Sequence, residues 1–149
     1  MLKAEVHLPS LARDRLLEIG RALVRLPQVH CPVKHYFIPG IYVREIFIPK
    51  GVMILGYTHM FPCITTISKG KILLTNGEDS VIAEAPFTTE VEAGTQKAGH
   101  ALEDTIWCDA YANPDNERDI DKLEEWLTAD TYEMFLLKTN EQKLLKERT

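Results

Sequence analysis

The stretch Gly51–Gly70, GVMILGYTHMFPCITTISKG, decides how this chain is read. Two glycines bound a run rich in β-branched and aromatic residues, with Tyr57, His59 and Cys63 inside it. Alternate side chains of a strand share a face, so positions 57, 59 and, if the strand continues, 63 point the same way. The surrounding sequence has the same character. IYVREIFI (41–48) alternates, and short β signals recur in VMILGYT, CITTIS, KILLT, SVIAEA and TIWCDAY. Their separators are turn chemistry: Pro39-Gly40, Pro49-Lys50-Gly51, Lys69-Gly70, Asn76-Gly77 and Ala93-Gly94. In LLTNGEDSVI (73–82), Asn-Gly between apolar runs marks a hairpin. Many short strands with no helix between them predict an antiparallel sandwich or barrel.

Both flanks of this β-rich zone have helical periodicity. In SLARDRLLEIGRALVRL (10–26), Ala12, Leu16, Ile19, Leu23 and Leu26 fall on one face and four arginines occupy the rest. Ser10 is the expected N-cap and Pro27 the expected stop. Downstream, RDIDKLEEWL (118–127) places Ile120, Leu123 and Leu127 on one side, predicting a short helix docked on the β zone. TADTYEMFLLK adds a turn or two, and the polar end TNEQKLLKERT is expected to fray. The organisation predicted is a helical segment over 1–29, a barrel over 30–112 and an acidic helical extension over 113–149.

Composition narrows the function classes. The 149 residues carry a net charge of −5 and a pI near 5.5, with no basic footprint for nucleic acid. No apolar run approaches the roughly 20 residues that span a bilayer, and the N-terminus lacks the apolar core of a secretory signal. Three scattered cysteines suit a reducing compartment better than a disulfide framework. These features predict a soluble, cytoplasmic protein.

The opening stretch resembles the first signature of the cupin superfamily, the small double-stranded β-helix (jelly-roll) barrels. That signature is a Gly, five residues, His-x-His, three or four residues, Glu, six residues and Gly. Here the positions are Gly51, Tyr57-Thr58-His59, Cys63 and Gly70, and every spacing matches. A second, weaker match aligns Pro86, Glu92, Gly94, Lys97 and Ala101 with the second signature. YVREIFIPKG, ISKG, AGTQKAG, ALEDTIW and DIDKLEEWL also resemble small cupin-like proteins of phages and prophages. The resemblance implies an all-β RmlC-like jelly roll, with a terminal helix on either side. It also implies a homodimer, paired through barrel sheets or exchanged terminal segments.

In the superfamily, two histidines, a glutamate and a third histidine hold a divalent ion at these inward positions. Carried over, Tyr57 and Lys97 stand at histidine positions, His59 is retained, and Cys63 stands for the glutamate. The resemblance therefore implies a degenerate metal site. His59 and Cys63 are the two donors left for Zn, Fe, Mn or Ni, and zinc accepts both imidazole and thiolate. His100, three residues past Lys97, joins only if the register shifts. With the metal dropped, Tyr57, His59, Cys63, Lys97 and His100 form a ligand-binding set, whose cation, ring and hydroxyl suit a small anion such as a carboxylate or phosphate. The alternative is a metal-dependent cupin enzyme, a dioxygenase or isomerase, with atypical ligands. The plainest reading is that these residues simply pack the barrel mouth. No catalytic residue is assigned, and no nucleic acid or membrane partner is expected. HCPVKHYF (30–37) is taken as a connecting segment, because no second Cys/His pair follows at zinc spacing.

Overall fold

The computed structural model describes residues 2–148, with side chains from residue 12 onward. In chain order the elements are α1 (Leu2–Leu23), β1 (Val33–Ile38), β2 (Gly40–Ile48), β3 (Met53–Leu55), β4 (Thr58–His59), β5 (Cys63–Lys69) and β6 (Lys71–Thr75). They continue as β7 (Ser80–Glu84), β8 (Phe87–Val91), β9 (Ala98–Ala101), β10 (Thr105–Asn113), α2 (Ile120–Leu127), β11 (Thr128–Ala129) and α3 (Tyr132–Arg148). One sheet runs β1-β2-β10-β5-β8 and a second runs β3-β9-β6-β7, while β11 pairs with β4 alone. All pairings are antiparallel.

The two large sheets face each other. Ile48 and Ile67, with Trp107, come from one sheet to meet Ile72, Leu74, Ala83 and Ala101 from the other. Each is an alternate residue of its strand, so the period-2 pattern builds this core directly. A second cluster joins the larger sheet to α2 through Tyr42, Cys63, Val91, Tyr111, Leu123 and Leu127. Asp119 caps α2 by accepting from the backbone N–H groups of Asp121 and Lys122. Between β5 and β6, Gly70 has φ +87°, and an added Cβ would stand 2.2 Å from the Asp104 carbonyl oxygen, so only glycine makes this turn.

Several local expectations are corrected. The first helix starts at Leu2, so Ser10 is interior rather than a cap. It ends at Leu23, where the Gln28 amide donates to the carbonyls of Leu23 and Leu26. Leu26 lies beyond the helix and is exposed. The Gly51–Gly70 run is three short strands, because the chain leaves the sheet at Gly56 and again at Phe61-Pro62. Proline has no N–H for a ladder. The C-terminal end is one 17-residue helix rather than a frayed tail. The Thr131 hydroxyl accepts from the Met134 N–H at its start, and strong helix formers fill the rest.

Candidate functional site

Strand β10 carries the centre of the site. Thr105, Trp107, Asp109, Tyr111 and Asn113 are buried on its inward face, at alternate positions. Asp109 is only 7% exposed, and a buried carboxylate needs donors. Its Oδ1 accepts from Thr65 Oγ1 at 2.5 Å and Trp107 Nε1 at 2.9 Å. Its Oδ2 accepts from the Tyr111 hydroxyl at 3.4 Å. Register explains the company it keeps: Asp109 lies directly opposite Arg44 of β2 and Thr65 of β5.

Three residues expected from the sequence meet this group. His59 Nδ1 is 3.7 Å from Cys63 Sγ and 3.4 Å from the Tyr111 hydroxyl. Lys97 Nζ donates to Thr65 Oγ1 at 3.2 Å and sits 5.0 Å over the Trp107 ring. Burial holds the His59 imidazole below its usual range; the Asp109 carboxylate opposes this, and the Lys97 charge adds to it. Burial, reinforced by Asp109, pushes the Cys63 thiol up to about 12. The same two causes push the Tyr111 phenol up. Burial lowers Lys97, against the pull of Asp109.

His59, Lys97, Trp107, Asp109 and Tyr111 line a cavity of about 450 Å³. Val33, His35, Tyr42, Arg44 and Ile46 form one wall, Ile54 to Tyr57 another, and Ile120, Glu124, Leu127 and Thr128 close it from α2 and β11. His35 Nδ1 is 2.7 Å from the Tyr42 hydroxyl, so the segment assigned as a connector is a strand that contributes to the cavity. Among the described residues, the Arg44 side chain has no hydrogen-bond or ion-pair partner.

Tyr57 reaches the rim, 50% exposed, and is shared with a second cleft of about 300 Å³ lined by Asp121, Glu125 and Asp130. His100 stays outside the cavity: its register neighbours Met53 and Leu73 are exposed. The inward position next to it belongs to Gly99, packed against Ile72, Trp107 and Ile54. No register shift brings His100 in. Sequence reasoning missed Arg44, Asp109, Tyr111, Tyr42 and His35. The signal was present, since Arg44 has the inward parity of Tyr42 and Ile46, and Asp109 that of Trp107 and Tyr111.

No protein-family profile matches this sequence, and a search of curated proteins finds no match. Solved structures do match. A cupin superfamily protein from Desulfitobacterium hafniense DCB-2 aligns at TM-score 0.50 and 9% identity, over 61% of this chain and 84% of its own. KdgF from Halomonas sp. aligns at TM-score 0.50 and 15% identity, over 62% and 86%. The fold is a cupin jelly roll. At such identities the likeness carries the fold and nothing of the activity.

The cupin metal centre can be tested against the residues at its positions. His59 and Cys63 form a pair, but a protonated thiol is a poor donor, and Lys97 brings a cation where the fold family has a histidine. Among the described residues, no group of three or more His, Cys, Asp or Glu side chains could hold a metal ion. The side chains of this cavity do not fit the group. Among the described residues, no helix is long and apolar enough to cross a membrane.

Proposed function

We propose that this cupin is a binding protein for a small organic anion, seated in the barrel cavity between Arg44 and Lys97. The observation that carries this reading is Arg44, a guanidinium lining a concave site with no protein acceptor among the described residues. Arg presents a planar donor fork that matches carboxylate and phosphate. Lys97 adds a second positive charge inside the same cavity, where reduced dielectric strengthens its attraction for an anion. Trp107, Tyr42, Ile46, Ile54 and Leu127 supply apolar walls, and the volume falls within the ordinary range for small-ligand sites. His59 lines the same cavity, and Cys63 belongs to the packed cluster behind it.

Self-association, a reducing cytoplasmic setting and a phage or prophage origin belong to the same proposal. The first is supported by exposed Tyr36, Ile38, Ile41 and Ile64 on the outer sheet face, and the second by three free cysteines. The third rests on sequence phrases alone.

The test is thermal shift with simple carboxylates and with phosphate, on wild type, Arg44→Met and Lys97→Met. A ligand at a hundred times its Kd stabilises by about 2.7 kcal/mol. The wild type is expected to gain most of that stabilisation, and each variant much less. Equal shifts in all three proteins would remove the proposal.

A further inference from the structure

Three polar groups of the cavity keep hydrogen-bonding capacity that the protein does not use, and they are not of one kind. Arg44 has five N–H donors and no protein acceptor among the described residues. Lys97 has three and directs one at Thr65. Asp109 is the opposite: Oδ1 is filled by Thr65 and Trp107, while Oδ2 receives only the long 3.4 Å bond from Tyr111. Arg44 and Asp109 face each other across β2 and β10, yet they form no ion pair. A single small molecule can therefore reach both.

Resting on the anion reading above and going a step beyond it, we propose that the cavity selects a hydroxylated monocarboxylate. Its carboxylate lies on Arg44, and its hydroxyl lies between Lys97 and Asp109 Oδ2. A hydroxyl both donates and accepts, so it takes an N–H from Lys97 and gives its own hydrogen to Oδ2. A methylene in that place would leave both protein groups unpaired and desolvated, which is costly. An ammonium would satisfy Asp109 but meet the like charge of Lys97. The charge balance agrees. Two cations against one buried carboxylate leave one positive charge, which a monoanion neutralises and a zwitterion does not. Glu124 is exposed on α2, where solvent and salt screen it.

The experiment is titration calorimetry with matched trios: lactate, propionate and alanine; then mandelate, phenylacetate and phenylglycine. In at least one trio the hydroxy acid is expected to bind about tenfold more tightly than both partners, as sites built around a substrate hydroxyl do. Asp109→Asn keeps an oxygen for Thr65 and Trp107 but replaces Oδ2 with an amide that cannot accept. In that variant the hydroxy acid is expected to lose its advantage while the deoxy acid binds as before. Should Asp109→Asn fail to fold, the wild-type trios decide alone. Deoxy acids that bind as tightly as hydroxy acids, in an Arg44-dependent way, overturn hydroxyl selection and leave the anion reading standing. Tightest binding by the amino partner overturns it in favour of a zwitterion. If no carboxylate binds at all, the anion reading falls as well.

Discussion

Burial is the largest influence on the titratable neighbours of Asp109, and the Asp109 carboxylate is the next. The carboxylate draws Lys97 toward the charged form, and it opposes the ionisation of Cys63 and Tyr111. His59 is the histidine of this group. Burial places its folded pKa below the ordinary 6.5, so on acidification the unfolded chain takes a proton before the folded one does. Stability is therefore complete above 6.5 and falls as pH drops from there toward the folded value. The slope contributed by one group reaches at most about 1.4 kcal/mol per pH unit. Urea denaturation across that range is expected to show the loss in the wild type and a smaller loss in His59→Gln, with His35 and the carboxylates common to both. Parallel curves would show that His59 is not the group concerned. Arg44 and Asp109 were open to a parity argument from the sequence, because each shares its inward face with aromatic and apolar residues. They passed unnoticed because charged residues in strands usually face solvent, and only closure of the barrel turned that face inward.

Each element depends on a few positions that its own residues reveal. Gly77 follows Asn76 in the β6–β7 loop with φ +92°, and a Cβ there would meet the Ala12 carbonyl oxygen of α1 at 2.2 Å. Arg15 also donates to the Gly77 carbonyl from α1. Gly77→Ala is expected to destabilise by roughly 2 kcal/mol or more, from backbone strain plus loss of the helix contact. Chemical denaturation would measure it, and a change under about 0.5 kcal/mol, the usual bound for neutral surface sites, would refute the close approach. Leu123 is the fully buried anchor of α2. Leu123→Ala is expected to cost about 2–5 kcal/mol, and to weaken anion binding as well, because α2 closes the cavity through Leu127 and Ile120. Loss of stability with ligand affinity intact would separate α2 from the site. The amphipathic period made this helix readable, and the Asn-Gly pair did the same for the hairpin. The short strand β4 was not readable: its two residues are held by β11, some seventy residues downstream in the chain.

At the scale of the molecule, the outer face of the larger sheet is unusually apolar. Tyr36, Val43, Ala110 and Ile64 form a row across β1, β2, β10 and β5, and both Tyr36 and Ile64 are exposed at its ends. Exposed apolar patches of this kind mark interfaces. Sedimentation at micromolar concentration is expected to give twice the 17.0 kDa chain mass, and Ile64→Lys to shift the protein toward the single chain. A wild type that stays monomeric at every concentration would refute the pairing.

The sequence alone determined the class of this protein, because strand alternation, turn residues and the Gly51–Gly70 spacing are local properties. The resemblance to the cupin signatures also pointed to His59, Cys63 and Lys97 as neighbours. The chemistry of the cavity was decided only by the tertiary structure. Arg44, Asp109 and Thr65 are far apart in the chain and meet through cross-strand register, while α2 closes the space above them. Which side chains share an enclosed volume depends on that closure, and closure is a property of the whole barrel rather than of any segment.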